Sequence, residues 1–295
     1  MNQKKIFALG FFDGVHLGHQ KILAECCDLA EKTEATACAF TFLQHPQSLF
    51  THTPPLLINT YEDRKRLLQQ FGIGPVYSYP VTREVMGMPW KVFLEELISY
   101  GAVGFVCGDD FRFGHKGEGN CNKLREFCKE FGLTCTIVPQ QDMDGSRISS
   151  TRIRELLEQG QLDDANRLLG HPHVFTGVVQ TGKQLGRTIG FPTANLTFPA
   201  DVIVPEFGVY ACKATVDGNV YTAVTNVGTR PTVNGDSVTI EAHLLDFQGD
   251  LYGKTLTLAF YAFLRPEKKF ASVTQLQEEI LKNTAETRNF FAKSE

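Results

Sequence analysis

The sequence lacks the marks of membrane, secreted and metal-cluster proteins. No stretch approaches the roughly 18 consecutive apolar residues of a transmembrane helix. The short apolar run at residues 6–12 ends at Asp13 with no small-residue cleavage site after it, so we predict no signal peptide. The eight cysteines form no CxxC pair, and the spacing of Cys121, Cys128 and Cys135 matches no common zinc pattern. We therefore expect reduced thiols and a cytoplasmic location.

A strong excess of one charge is also absent. The chain carries 29 basic and 33 acidic residues, a net charge of -4, whereas sequence-independent nucleic-acid binders usually show a basic excess. Its 295 residues are 42% hydrophobic and 21% charged, which is ordinary globular usage, and they are too many for one ordinary core. We predict two domains, and we expect neither nucleic acid nor a membrane as partner.

The first half alternates strand-like and helix-like segments. Its apolar strands show no polar alternation, which favours a doubly wound parallel sheet with both faces covered. The predicted strands lie at residues 6–9, 36–42, 103–107 and 134–138, and the predicted helices at residues 17–33, 61–71, 90–100, 123–131 and from residue 150 to 158.

The pattern changes near residue 170. The segment LLGHP at residues 168–172 predicts a hinge, so we place the two domains at residues 1–169 and 170–295. Beyond it, period-2 runs are separated by glycine-containing turns, which predicts an antiparallel barrel or sandwich closed by a helix at residues 273–291. The predicted strands are residues 209–216, 220–227, 238–244 and 255–263.

The loop GFFDGVHLGH at residues 10–19 joins the first strand to the first helix, where open α/β sheets bind ligands and a helix N-terminus favours anions. His16 and His19 are three residues apart, so their rings face the same way and can hold a phosphate. Gly14 and Gly18 let the backbone approach that phosphate. The alternatives are two surface histidines or a zinc site, although no third ligand lies nearby.

Two further segments follow the same logic. In ISSTRIR at residues 148–154, hydroxyls and arginines at a helix start can wrap a polyphosphate, and the alternative is a helix cap with solvated arginines. The segment GDDFRFG at residues 108–114 follows a strand directly, and the alternative there is a polar loop with two core phenylalanines.

A glycine-rich segment, GVVQTGKQLGR at residues 177–187, nearly spells a P-loop. Gln184 stands where a P-loop has serine or threonine, and the glycines and proline that follow come too soon for its helix. We predict instead a flap over phosphates on the β domain.

Polar side chains on two predicted strands of the second half complete the candidate residues. Thr193 and Asn195 lie two apart and share one side of an extended strand, and their oxygens suit Mg²⁺, although a turn and capped loop would also explain them. Glu241 shares a strand face with Thr239 and His243, opposite an apolar face. A solvated face is the alternative for Glu241.

These blocks of the first half resemble the adenylyltransferase module of the prokaryotic bifunctional riboflavin kinase/FAD synthetase family, itself similar to the HxGH nucleotidyltransferases. The family patterns GxFDGxHxGH and SSTxIR fall on residues 10–19 and 149–154. The resemblance implies that His16 and His19 position the ATP phosphates. It implies further ATP contacts from Gly10, Phe12, Asp13, Gly14, Gly18, Ser150, Thr151 and Arg154, and FMN contacts from Asp110, Phe111 and Arg112. One departure is Leu43 and Gln44 ahead of His45, where the family often has an acidic residue and a proline.

The second half resembles the riboflavin kinase module. The matching blocks are GFPTAN at 190–195, GVYA at 208–211, NVGTRPTV at 226–233, EAHLLDF at 241–247, LYG at 251–253 and FLRPE at 263–267. The resemblance implies that Thr193 and Asn195 serve Mg²⁺ and ATP, and that Glu241 is the base for the riboflavin 5′-hydroxyl. It implies further ATP contacts from Gly177, Gly182, Gly186 and Arg187. The last helix departs, with LQEEILKN at 276–283 where the family shows LxxQIxxD.

Together the resemblances imply a nucleotidyltransferase-type, Rossmann-like α/β domain with a parallel sheet, followed by a small antiparallel six-stranded barrel with a C-terminal helix. They imply that the chain phosphorylates riboflavin to FMN with ATP, then adenylylates FMN with a second ATP to give FAD and pyrophosphate. Three alternatives stay open: an enzyme with only the kinase half active, another nucleotidyltransferase fused to a flavin-sensing domain, and a flavin carrier that consumes no ATP.

Overall fold

The computed structural model describes residues 3–182, 186, 189–232 and 235–293. Its packing divides the chain into two units, the first made of Met1–Leu57 with Tyr61–Ser150 and the second of Ile58–Thr60 with Thr151–Glu295. The boundary that we place after residue 169 stays a prediction. Among the described residues, no helix combines the length and apolarity needed to span a membrane.

A five-stranded parallel sheet forms the centre of the first unit, which confirms the predicted sheet type. Its strand order is β3-β2-β1-β4-β5, so the order reverses between β1 and β4. The strands are β1 (Lys5–Leu9), β2 (Thr36–Phe42), β3 (Val76–Tyr79), β4 (Ala102–Gly108) and β5 (Thr134–Val138). The helices are α1 (Leu17–Lys32), α2 (Tyr61–Gln70), α3 (Arg83–Met86), α4 (Trp90–Ser99) and α5 (Cys121–Phe131). A small hairpin pairs β6 (Asp142–Met143) with β7 (Ser146–Arg147).

The apolar central strands are buried on both faces of this sheet. Phe7, Leu9, Phe105 and Cys107 belong to one buried cluster with residues of α4 and α5. Ile6 and Ala8, which point the other way, are buried as well. Burial on both sides explains why these strands are apolar without alternation.

A curled six-stranded antiparallel sheet dominates the second unit, as the riboflavin kinase resemblance implies. Its order is β8-β13-β10-β11-β12-β9. The Gln180 N–H, just beyond β8, donates to the Asn195 carbonyl on β9 at 2.8 Å, which brings the two edges together. The strands are β8 (His173–Val178), β9 (Ala194–Thr197), β10 (Gly208–Val216), β11 (Asn219–Thr232), β12 (Gly235–Leu244) and β13 (Thr255–Pro266). The helices are α6 (Ser150–Glu158), α7 (Leu162–Leu169) and α8 (Val273–Ala292).

Helix α7 occupies part of the segment where the sequence predicts only a hinge. It ends before Gly170, which has φ of 73° in the left-handed region and donates its N–H to the Asn166 carbonyl at 2.8 Å. The Asn166 side chain donates to the Phe260 carbonyl and accepts the His173 N–H, at 2.9 and 2.8 Å. These contacts attach α7 to strands β13 and β8.

A buried histidine gives the second unit a predictable dependence on pH. His173 is fully buried, and burial, assisted by His171, lowers its pKa to about 3. The pKa of this histidine is near 6.5 in the unfolded chain and about 3 in the folded chain, so protonation below pH 6.5 favours the unfolded chain. The stability that the neutral histidine contributes is therefore fully present above pH 6.5 and is lost as pH falls toward 3. We expect the free energy of unfolding to drop by about 2 kcal/mol between pH 8 and pH 5 from this group alone.

The measurement uses Cys212, the sole cysteine of the second unit, which is buried. Its labelling in increasing urea, read by mass spectrometry at pH 8 and pH 5, reports unfolding of this unit. His173→Leu should remove most of the pH dependence, and the exposed His52→Asn should leave it intact. An unchanged pH dependence in His173→Leu would contradict the assignment.

Candidate active sites in the two units

A cleft of about 230 Å³ lies in the first unit where the strand order reverses, at the carboxyl ends of β1 and β4. Ligands of open α/β sheets bind at this position. Predicted site residues that line it are Gly10, Phe12, His16, Gly18, His19, Asp110, Phe111 and Ser150. The structure therefore brings together the three segments at residues 10–19, 108–114 and 148–150.

The turn that carries the histidines has an unusual backbone. Phe12, Gly14 and Val15 have φ of 57°, 80° and 40°, and this left-handed region is rare for a β-branched residue such as Val15. Asp13 is buried within the turn, and its carbonyl accepts the Ser150 hydroxyl at 2.8 Å. This bond joins the segment at residues 10–19 to the segment at residues 148–154.

His16 and His19 stand together at the start of α1. His16 is the N-cap, and its Nδ1 accepts the His19 backbone N–H at 3.3 Å. The two rings stack with their centroids 3.6 Å apart. Burial lowers the pKa of His19 well below its usual range, with smaller contributions from His16 and Arg64. His19 is therefore neutral at pH 7 and offers one N–H donor.

Arg147 is a cleft residue that no sequence motif indicates. The β6–β7 hairpin carries it to the cleft, where it forms an ion pair with Asp110, both side chains being about half exposed. The only local signal was its position two residues before the SST block, and pairing partners 37 residues apart cannot be read from a local pattern.

An apolar cavity of about 380 Å³ adjoins the cleft, since Gly10, Phe11, Asp110 and Phe111 line both. It also contains Arg112, so all three residues predicted to contact FMN line it. Its remaining walls include Phe40, Phe42, Tyr79, Met86, Met88, Phe93 and Phe113. Aromatic and methionine walls with a few polar groups at one end suit a flat, largely apolar ring.

The loop that departs from the family pattern stays beside this cavity. Gln44 accepts the Val81 N–H at 3.0 Å, and the His45 ring packs edge-on against Phe11 with centroids 5.0 Å apart. Pro46 lines the cavity itself. The change to leucine and glutamine therefore leaves the histidine and proline of this loop next to the other candidate residues.

The second unit also carries two cavities, and Thr193 lines both. One of about 480 Å³ contains Asn195 and the loop Phe247, Gln248, Gly249, Asp250, Leu251 and Tyr252. The other, of about 310 Å³, contains Glu241 and Asn226, with Phe191, Val209, Phe270, Leu276 and Ile280 among its apolar walls. Thr193 thus lies where the two cavities of this unit adjoin, with Asn195 in one and Glu241 in the other.

Strand register aligns three polar side chains across neighbouring strands. Glu241 on β12 lies opposite Asn195 on β9 and opposite Asn226 on β11. Directly opposed residues of antiparallel strands share a face. Ile240 and Ala242 are buried on the other face, which confirms the predicted orientation of this strand. Asn226, which has no predicted role, lies in one row with the predicted site residues Asn195 and Glu241.

The glycines of the predicted flap differ in their surroundings. A Cβ at Gly182 would lie 2.5 Å from the Asn195 side chain, so only glycine lets the backbone pass this close. Gly186 lines the 310 Å³ cavity, and Gly177 lies on β8. Arg187 lies outside the described residues. Thr151 and Arg154 lie on α6 in the second unit.

The last helix keeps an ion pair despite its departure from the family pattern. Arg265 lies 3.0 Å from Glu279 and donates from Nε to the Asn283 side-chain oxygen at 3.1 Å. Asn283 is buried, and both Arg265 and Asn283 line the 310 Å³ cavity. Glu279, the acidic residue beside Arg265, thus lies one helical turn before Asn283, the position at which the family pattern shows aspartate.

Comparisons with known proteins divide the chain in the same order. Residues 1–152 match the family model described as FAD synthetase, and residues 169–291 match the one described as riboflavin kinase. The chain is 35% identical to the bifunctional riboflavin kinase/FMN adenylyltransferase of Listeria monocytogenes over 99% of its length and 94% of the relative's. It is also 35% identical to the bifunctional riboflavin kinase/FMN adenylyltransferase of Escherichia coli K12, over 97% of this chain and 92% of the relative.

Among solved structures, the chain is similar to a crystal structure described as a macrolide-efflux protein from Streptococcus pneumoniae. The TM-score is 0.85 at 30% identity, covering 98% of this chain and 95% of that one. The similarity extends over both units.

Proposed function

The chain belongs to the bifunctional riboflavin kinase/FMN adenylyltransferase family, and from this premise we propose how its two units divide the work. It phosphorylates riboflavin to FMN and then adenylylates FMN to FAD, releasing pyrophosphate. The observation that carries the division is that each unit has its own pair of adjoining cavities lined by predicted site residues. Each arrangement suits a flat ring next to a reacting phosphate.

In the second unit, Glu241 is the general base. Riboflavin occupies the 310 Å³ cavity, and its 5′-hydroxyl lies within hydrogen-bond reach of the Glu241 carboxylate. As the hydroxyl oxygen bonds to the γ-phosphorus of ATP, its proton passes to Glu241 and the bond to the ADP oxygen breaks. The cavity that contains Asn195 and the 247–252 loop holds the nucleotide. Positioning and charge stabilisation supply most of the rate enhancement.

Mg²⁺ fits the oxygen donors at the junction of the two cavities. The Thr193 hydroxyl and the Asn195 amide oxygen are hard ligands, and waters and phosphate oxygens would complete the shell. Asn195 donates its NH₂ group toward the Thr193 carbonyl at 3.4 Å, which leaves its amide oxygen free of that bond. A bound Mg²⁺ would neutralise phosphate charge in the transition state.

In the first unit, His16 and His19 hold the phosphates of the second ATP. An oxygen of the FMN phosphate bonds to the α-phosphorus while the bond to the pyrophosphate oxygen breaks. Donors from the imidazoles, the start of α1 and Ser150 stabilise the charge that builds on the transferring group. Arg147, in the cleft, is a further candidate for these phosphates. FMN occupies the apolar cavity with Asp110, Phe111 and Arg112 at its edge.

The proposed ATP contacts of Gly177, Gly182, Arg187, Thr151 and Arg154 rest on the sequence resemblance alone. The eight free thiols support a cytoplasmic location, since thiols persist in reducing compartments. We propose a monomer or weak homo-oligomer there.

A time course tests the two reactions together. Purified protein is mixed with riboflavin, ATP and Mg²⁺, and flavins are separated by chromatography. We expect FMN first and FAD second, and no conversion when EDTA removes Mg²⁺. FMN without FAD would mean an inactive first unit, FAD from supplied FMN alone would mean an inactive second unit, and no conversion in the presence of Mg²⁺ would contradict both assignments.

A further inference from the structure

Arg64 on α2 is a charged side chain with no exposed surface. Removing a cation from water is costly unless hydrogen bonds and an opposite charge compensate for the lost hydration. Its Nη2 donates to the carbonyl oxygens of Phe42 and Leu43. Its Nε and Nη1 atoms have no hydrogen-bond partner among the described residues. The hydrogen-bonding capacity of the guanidinium is thus only partly used. Packing alone does not explain a buried arginine in this state, because an apolar side chain would fill the same space without unpaired donors.

The same guanidinium contacts the loop that carries the histidines. Its central carbon lies 4.3 Å from the centroid of the Phe11 ring, a cation–π contact. Phe11 lines both the cleft and the apolar cavity. Asp13 interacts electrostatically with Arg64, and Arg64 in turn with His19. Arg64 therefore links the end of β2 to the loop at residues 10–16.

We propose that Arg64 is a positioning residue for FMN adenylylation, an inference that rests on the proposed function of the first unit. It holds Phe11 and the loop beneath His16 and His19 in the geometry that transfer requires. It also places a fixed positive charge behind the loop that receives the phosphates. Arg64 does not line the described cavities, so it acts through its neighbours rather than on substrate.

Three variants separate this role from simple packing. Arg64→Met keeps the length of the side chain and removes the charge, and Arg64→Lys keeps the charge but not the planar, forked guanidinium. Arg66→Met is the matched control, because Arg66 lies two residues along the same helix, is about half exposed and pairs with Asp63 at 3.6 Å. All variants are made in the full chain, and both activities are measured on each preparation.

For Arg64→Met we expect kcat for FAD synthesis to fall about 100-fold, the loss that a misplacement of about 1 Å produces. The KM values for FMN and ATP should change less than about 3-fold, because the binding surfaces remain. Arg64→Lys should recover about a tenth of the wild-type kcat. Riboflavin phosphorylation should stay unchanged in every variant, and Arg66→Met should match wild type in both reactions.

The results for these variants distinguish a positioning role of Arg64 from a role in packing alone. A folded Arg64→Met with wild-type kcat for FAD synthesis would overturn the inference, and so would a loss confined to KM. If Arg64→Met fails to fold, the Lys variant decides: a kcat about 10-fold low with unchanged KM supports the role, and a wild-type kcat overturns it. A wild-type protein that makes no FAD would instead refute the proposed function itself.

Discussion

Glu241→Gln is expected to reduce riboflavin phosphorylation about 10³-fold while FMN adenylylation stays at its wild-type rate. The amide keeps the size and shape of the carboxylate but cannot accept the hydroxyl proton, and general-base catalysis is worth about 10²- to 10⁴-fold. Because Glu241 is only partly buried, opposite Asn195 and Asn226, the substitution should leave the strand and its pairing intact.

Two measurements check this result. Chromatography follows FMN formed from riboflavin and, in a separate reaction, FAD formed from supplied FMN. Glu278→Gln is the matched control, because Glu278 is an exposed glutamate on α8. The KM for riboflavin should change little, since the lost interaction belongs to the transition state. Wild-type phosphorylation in Glu241→Gln would remove this residue from the mechanism.

His16→Asn is expected to reduce FAD synthesis from FMN about 10²- to 10³-fold and to leave riboflavin phosphorylation unchanged. Loss of one preorganised donor to developing charge costs about this much. Asparagine is a good helix N-cap, so it can replace the cap that His16 Nδ1 provides. The loss would then reflect the missing imidazole, which stacks on His19, rather than an unravelled α1.

The assay mixes FMN, ATP and Mg²⁺ and quantifies FAD and pyrophosphate. His52→Asn is the control, an exposed histidine of the same unit outside both cavities. A His16→Asn protein that makes FAD at the wild-type rate would favour a different set of phosphate ligands in the cleft. It would leave the kinase assignment untouched.

Prediction from the sequence succeeded best for strongly patterned elements. The bounds of α1, β2 and β5 match the predicted ones to within one residue. Strand β3 was missed because Val76–Tyr79 is a four-residue edge strand whose residues are all half-buried, so no apolar run or clear alternation appears. Helix α7 was missed because the Gly170 and Pro172 signals made its last turn resemble a linker.

For the candidate sites, the family blocks predict roles for His16, His19, Thr193, Asn195 and Glu241, and these roles stay predictions. Arg64, Arg147 and Asn226 were found only in the structure. In the sequence, nothing distinguishes Arg64 from the other charged residues of this polar helix, which has a second arginine two residues away. Its complete burial depends on β2 and the loop before α1, which lie far from it along the chain.

Local sequence patterns predict the two kinds of domain, the ligand-binding loop before α1 and the face on which Glu241 lies. These features depend on turn chemistry and on periodicity over a few neighbouring residues, which local steric and hydrophobic effects control. The row formed by Asn195, Glu241 and Asn226, the ion pair of Arg147 with Asp110 and the burial of Arg64 against Phe11 became visible only in the folded chain. Such arrangements depend on strand register and packing between distant segments, which no local pattern of residues encodes.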